Sequence, residues 1–565
     1  MNLIRSIVPL FDWLPAYRKE WFRGDVMAGL TTSAVVIPKA MAYAAIAGLP
    51  LVVGLYSSLV PLVIYAVLGT ARVLSVTTTS TIAILVAATI SQVAPGADAA
   101  TLIGIAATLS LLVGAFLLLA GILRLGAVAN LISEPVLAGF KAGIGLVIVL
   151  DQLPKLLGIH IAKAGFFRDI YAIGQHLPEL SVPTLILALV MLGLMVGLEH
   201  FAPRVPAPLV TVAAGIAISA LVGLDRIGIG LVGAVQAGLP AFAWPDISLA
   251  QQLWPSALGI ALMSFVETAA AGRAFALAGE TRPKDNQELL ALGAANLAGS
   301  LFQIMPAGGG TSQTAVNRGA GAHSQVAGMV TAAVVVATLI FLAPLFGLMP
   351  QPTLAAVVVV ASVGLISPGE FRAIRKVRTM EFRWALIAMV GVMLLGTLKG
   401  ILVAVIVSLV ALILHVSRRP VYVLGRKPGT TSFFRPLSAE HPDDETFPGL
   451  LLVKLQGNVH FANASRLGDL IVPLLKEYKP RVLALDCSAM PDLEYTALKM
   501  LGNFEAKLRE TGIELWLAAL NPEPLQLILK TPLGEALGRE RMIYSLKNVV
   551  EEYQRRYGDE AGEKE

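Results

Sequence analysis

Cysteine is nearly absent: the 565 residues contain one, Cys487. That excludes an internal disulfide framework and any cysteine-rich metal site. Charge is scarce as well. Asp, Glu, Lys and Arg make up 14% of the chain, against roughly 25% in an ordinary soluble protein. Hydrophobic residues make up 56% and the mean hydropathy is +0.73, an excess that a water-soluble core cannot absorb. The seven histidines show no metal-ligand spacing. No metal, cofactor, catalytic residue or nucleic-acid partner is therefore expected.

What the sequence does have is long apolar runs without charge, at 99–123, 181–198, 205–224, 324–369 and 400–415. Each is near or above the roughly 18–20 residues that span a hydrocarbon core, and the fourth is long enough for two spans. The first apolar run opens only after a basic, aromatic segment ending Arg23-Gly24-Asp25, so a short cleavable signal is not expected. Read against Gly, Pro and charge punctuation, the chain predicts fourteen spans, beginning near 26, 51, 77, 98, 130, 182, 205, 254, 286, 311, 324, 352, 384 and 399, with the third and tenth short. Basic residues cluster in the connections that would lie inside: Arg72, Arg204, Arg282 and Lys284, the group Arg372 to Arg383, and Arg418 to Lys427. The connection holding Lys155, Lys163 and Arg168 departs from this pattern. Beyond Pro428 the texture becomes that of a soluble α/β domain, with strands at 451–456, 482–486 and 514–518 and helices at 464–478, 495–509, 522–530 and 546–557. The expected domains are an N-terminal segment (1–24), a membrane domain (25–417), a linker (418–446), the soluble domain (447–557) and a disordered acidic tail (558–565).

Irregular polar stretches are tolerated at membrane depth only where they line a cavity or the protein interior. Two stand out. The hydroxyl cluster Ser75-Val76-Thr77-Thr78-Thr79-Ser80-Thr81 opens an apolar helical run, and Pro306-Ala307-Gly308-Gly309-Gly310-Thr311-Ser312-Gln313-Thr314 opens a short helix. Each sets a helix N-terminus, with free N–H groups and the positive end of the helix dipole, at the third span of its half. Such interrupted segments at matching places in two halves mark a substrate site between inverted repeats. The alternative is that hydroxyls join helices and glycines permit close packing. The glycine run lacks the lysine of a phosphate-binding loop, so ATP-driven transport by this chain alone is not expected.

Ionisable residues within spans are costly and tend to be functional. Lys39 lies fourteen residues after Asp25, about 21 Å along a helix, and Glu267 thirteen after Trp254, about 20 Å. Both sit near the midplane of the first span of a half, where inverted repeats would set them facing each other; a Lys–Glu pair that only fixes packing is the alternative. Glu134 and Lys141 have the character of interfacial residues.

The motifs Ile37-Pro38-Lys39-Ala40-Met41-Ala42-Tyr43-Ala44, Ala47-Gly48-Leu49-Pro50 and Gly54-Leu55-Tyr56-Ser57-Ser58 resemble the first signature of the sulfate permease (SulP) family of anion transporters, related to the animal family that includes prestin and pendrin. The run from Asn286 to Asn296 is similar to the family's ninth span, and Ala315-Val316-Asn317 to its tenth. The soluble part resembles a STAS domain through Gly457 to Ala464 and Asp486 to Ala497, with Tyr495 where bacterial anti-sigma factor antagonists carry a phosphorylatable serine.

The resemblance implies an all-α polytopic membrane protein of fourteen spans in two inverted seven-helix repeats, a core domain moving against a gate domain, followed by an α/β STAS domain. It further implies a homodimer in the inner membrane, with the N-terminus and STAS domain cytoplasmic and a cytoplasmic protein partner docking on the latter. The anion would be held by Lys39, Tyr43, Thr77, Thr78, Thr79, Gly310, Thr311, Ser312 and Gln313, with Glu267 as the proton-responsive group. Three positions depart from the family: Lys39 replaces a usual glutamine, Thr77-Thr78 a Gly-Pro pair, and Gln313 a frequent arginine. The first and last read together as a relocation of positive charge. Proton-coupled sulfate transport is the expected activity; bicarbonate or C4-dicarboxylate transport and an uncoupled anion channel are the alternatives.

Overall fold

The computed structural model describes residues 8–557 apart from 131, 162–164, 204, 234, 236, 277–279, 281, 418–419, 458 and 461–462. The acidic tail, Lys163, Arg204, Arg418 and Arg419 thus lie outside the described residues. Two compact units are present, 1–409 and 410–565.

In the first unit the apolar runs become fourteen helices: α1 (Trp21–Ile46), α2 (Leu51–Leu68), α3 (Ser80–Val93), α4 (Ala99–Ile122), α5 (Glu134–Leu157), α6 (Val182–Phe201), α7 (Ala207–Val222), α8 (Ala250–Ala274), α9 (Asp285–Ser300), α10 (Thr311–Gly319), α11 (Val326–Ala337), α12 (Gln351–Val363), α13 (Thr379–Leu395) and α14 (Thr397–Ser417), the last running into the second unit. Two amphipathic helices, Phe166–His176 and Pro368–Val377, lie between them and were not expected. The third and tenth helices are short, as expected, because residues that would extend them are spent on two-residue strands, β1 (Val76–Thr77) and β2 (Gly308–Gly309).

The helices sort into two packed sets. Helices α1 to α4 pack with α8 to α11, and α5 to α7 with α12 and α13, while α1 meets α7 and α12 across the boundary. Small residues set the closest approaches. A Cβ on Gly114 of α4 would lie 2.6 Å from the Leu297 amide nitrogen, and one on Gly293 of α9 2.7 Å from that of Leu118. These two helices therefore touch backbone to backbone, the contact that membrane helices favour where burial of apolar surface supplies little drive. In the other set, a Cβ on Gly139 of α5 would fall 1.9 Å from the Ala385 carbonyl of α13.

The segment before α1 is anchored on the α10–α11 connection. Trp21 stacks on His323 with centroids 5.6 Å apart, and Tyr17 meets Trp21 edge-on. The fully buried Asp25 accepts from the amides of His323 (2.7 Å) and Ser324 (3.1 Å) and from the Ser324 hydroxyl (2.7 Å).

The second unit is a six-stranded sheet, ordered β4-β3-β5-β6-β7-β8, where β3 is Val421–Arg426, β4 Phe434–Pro436, β5 Leu450–Leu455, β6 Val482–Asp486, β7 Glu514–Ala518 and β8 Met542–Ile543. Strands β5 to β8 are parallel, and β3 runs antiparallel to β5 and β4. Helices α15 (Ala464–Tyr478) and α16 (Tyr495–Glu510) share one core with Leu483 and Leu515, and α19 (Leu546–Tyr557) packs Val549, Val550 and Tyr553 around Trp516 on the other; α17 (Pro522–Leu529) and α18 (Pro532–Leu537) lie between. The expected linker at 418–446 is corrected here: it carries β3 and β4. Strand β3 follows directly on the basic end of the last span and β4 is only three residues long, so neither stands apart as a strand in the sequence.

Candidate functional site

The two irregular stretches meet. Strands β1 and β2 pair antiparallel, Val76 opposite Gly309 and Thr77 opposite Gly308, so α3 and α10 start from the two ends of one small ribbon. The Gly310 amide extends it by donating to the Ser75 carbonyl at 3.1 Å. Thr79 caps α3, its hydroxyl oxygen accepting from the Ile82 amide at 3.3 Å. Among the described residues no side chain caps α10, so its first-turn amides keep their donors for something else. Thr311 and Ser312 are exposed at that end, although Gly308 to Gly310 and Gln313 are buried. A helix start that is open and uncapped among buried neighbours can act chemically as a cradle for an anion.

Lys39 and Tyr43 approach this cradle from α1. Lys39 Nζ donates to Ser312 Oγ at 2.5 Å, placing a cationic side chain on the first turn of α10. Tyr43 is nearly buried and lies beside Ser80 and Glu267. Thr79 donates its hydroxyl to Glu267 at 2.8 Å while capping α3, so one oxygen links the carboxylate to the helix start. Gln313 donates to the Ser75 carbonyl at 3.2 Å and to Thr77 Oγ1 at 2.6 Å, tying the halves together, and Thr78 donates to the Pro306 carbonyl at 2.8 Å. Ser75 Oγ is buried without a partner among the described residues.

Of Lys39 and Glu267, expected to face each other with pairing as the alternative, the structure gives the hydrogen-bond partners. No ion pair joins them among the described residues; Lys39 bonds Ser312 and Glu267 bonds Thr79. Each is thus bonded to a hydroxyl at a different helix start, Lys39 at α10 and Glu267 at α3.

Several supporting residues escaped the sequence reading. Asn296 accepts from the Ala307 amide at 2.8 Å and donates to its carbonyl at 3.1 Å. Thr268 accepts from the Gly309 amide at 2.7 Å, and Ser264 donates to the Ala307 carbonyl at 2.7 Å. Together they satisfy backbone groups of a non-helical segment where water is scarce. The signal was present as hydroxyls at i and i+4 around Glu267, which put 264 and 268 on one face of α8. The glycines serve packing as well: a Cβ on Gly309 would lie 2.9 Å from the Thr268 Cα, and one on Gly308 2.9 Å from Ser264 Oγ.

Comparison with known proteins bears on what such a cradle serves. Residues 22–389 match the model of the sulfate permease family, and 441–551 match the STAS domain. The chain belongs to the sulfate permease family. A probable sulfate transporter of Mycobacterium tuberculosis is 34% identical over 96% of this chain and 97% of its own length. The chloroplastic sulfate transporter 4.1 of Arabidopsis thaliana is 30% identical over 98% and 83%. Among solved structures, SLC26A9 aligns with a TM-score of 0.90 at 24% identity, covering 99% of this chain and 94% of that one. The transmembrane domain of a cyanobacterial bicarbonate transporter aligns with a TM-score of 0.59 at 23% identity, covering 69% and 98%. As a member of that family the chain is a multi-pass membrane anion transporter and not an enzyme. Tyr495 opens α16 and is 80% exposed, on the surface of the STAS domain.

Proposed function

We propose that the chain is a proton-coupled secondary transporter of sulfate. The observation that carries this reading is the uncapped α10 start, with Lys39 donating to Ser312. It offers backbone amides, hydroxyls and one cation to a small anion. The names of the mycobacterial and plant relatives favour sulfate over bicarbonate and C4-dicarboxylates. Lys39, Tyr43, Thr77 to Thr79 and Gly310 to Gln313 form the binding region, in which Gln313 braces the ribbon while Lys39 supplies the positive charge.

Glu267 is the coupling group. Protonation would remove a negative charge from the site and change its bond to Thr79, and so the cap of α3. Anion entry and proton uptake then favour each other, which is symport. The core set α1–α4 and α8–α11 carries both helix starts and would move as one body against the remaining helices, in the manner of an elevator. In this reading the membrane domain spans 25–417 of the inner membrane, the N-terminus and STAS domain face the cytoplasm, the STAS domain begins by β3 and docks a protein partner, and the molecule is a homodimer.

Uptake of radiolabelled sulfate into proteoliposomes, with and without an inward proton gradient, tests this. Accumulation that rises as the outside is acidified, and that becomes insensitive to pH in Glu267→Gln, is expected. Proton-independent conductance without accumulation would replace the transporter by a channel, and preferential uptake of bicarbonate or succinate would replace the substrate.

A further inference from the structure

The face at which α1 begins, taken above as cytoplasmic, holds a cationic cavity separate from the cradle. The connection between α2 and β1, the approach to α9 and the start of the α11 region meet there, and the short helix Leu10–Trp13 lies against them. They enclose about 110 Å³, lined by Arg72, Arg282 and Lys284 with Asp12, Trp13 and Thr70 among the other walls.

Four acids near this cavity are otherwise engaged. Asp285 bonds Arg273 at 2.7 Å, Glu280 bonds Arg318 at 2.6 Å, Asp25 holds the His323–Ser324 turn, and Glu288 accepts from Tyr65 and Thr70. Among the described residues, Arg72, Arg282 and Lys284 have no ion-pair partner, so three cations face the single carboxylate of Asp12. The positive-inside tendency accounts for cations on this face, but it does not require three of them, from two connections, to line one pocket. A second observation points the same way: Trp13 Nε1 is buried with no hydrogen-bond partner among the described residues. Buried donors seldom go unpaired without a reason.

We propose that this cavity binds one tetrahedral oxyanion, a phosphate or sulfate group, gripped by Arg72, Arg282 and Lys284 and by the Trp13 indole N–H. Guanidinium groups match such an anion with paired donors, and the volume accommodates one such group. The group is either a free ion or the phosphate of an anionic lipid at the membrane surface. Thr70 couples the cavity to the fold: its hydroxyl donates to Glu288 and accepts from the Lys284 amide at 2.9 Å. The occupant therefore rests on the connection that leads into β1.

The test measures radiolabelled inorganic phosphate bound to delipidated full-length protein, and phosphatidylglycerol retained from nanodiscs by mass spectrometry. Native protein, the triple variant R72Q/R282Q/K284Q, W13F and K39Q are compared, with thermal melting to verify folding. For a free anion, saturable phosphate binding survives in K39Q, weakens several-fold in W13F and falls at least tenfold in the triple variant. For a lipid, free phosphate binds nowhere but the cradle, while native protein retains phosphatidylglycerol over phosphatidylcholine and both W13F and the triple variant lose that preference. Phosphate binding and lipid retention equal to native in W13F and the triple variant would overturn the proposal.

Discussion

Replacing Lys39 by glutamine keeps a hydrogen-bond donor near Ser312 and removes the charge. A hydrogen bond involving a charged group contributes about 1.5–3 kcal/mol, and each ~1.4 kcal/mol is a factor of ten, so the apparent affinity for sulfate should fall by about 10- to 100-fold. Coulomb energy scales with the charge on the anion. The loss in log affinity for a dianion should therefore be about twice that for a monovalent competitor such as bicarbonate. Lys39→Arg, which keeps the charge, should recover much of the loss. The assay is the concentration dependence of sulfate uptake into proteoliposomes at fixed pH, with monovalent anions as competitors. Two results would refute the reasoning: a KM for sulfate within about twofold of native, or an equal factor lost for mono- and divalent anions. In either case Lys39 would be a packing residue that happens to touch α10.

Gly309→Ala should abolish uptake while the protein still reaches the membrane, because the added Cβ lies 2.9 Å from the Thr268 Cα and 3.1 Å from its hydroxyl oxygen, and backbone must move; uptake paired with surface expression checks it. Asn296→Ala leaves the buried Ala307 amide without a partner side chain and its carbonyl with Ser264 alone. At about 1–3 kcal/mol for each unsatisfied group, a clear drop in Tm is expected in detergent, larger than for Asn286→Ala. Burial beside Asp486 pushes the Cys487 thiol up to about 12, so its thiolate is scarce at pH 8, and maleimide should label the protein only after denaturation. Prompt labelling of native protein would show that the core of the STAS domain opens.

Much of this fold is legible in the sequence because lipid imposes a simple rule. Apolar runs had to become helices, and α2, α6 and α10 begin at the expected residues. The starts of α1 and α13 fall five residues early because Trp21 and Thr379 extend helices beyond the apolar stretch into polar sequence. Strands β6 and β7, apolar and central, match expectation, whereas β3, on the half-exposed side, was concealed as linker. The two helix starts of the site could be read from hydroxyls and glycines in apolar surroundings. Which groups they face could not, since the partners of Lys39 and Glu267 depend on tertiary contacts 273 and 188 residues apart. The same holds for Asn296, whose role depends on where the non-helical segment before β2 passes.

Lys39 and Glu267 sit on α1 and α8 of the same packed set without neutralising each other directly, and this has an electrical consequence. A body that returns empty carries one positive and one negative charge and crosses the field with no net charge. Loaded with a dianion and a proton, it carries one net negative charge, which feels about 2.3 kcal/mol per 100 mV across the full membrane. On the proposed mechanism the membrane potential thus acts on only one half of the cycle. Current should accompany the loaded step, and a negative interior should slow uptake without changing the rate at which the empty carrier resets.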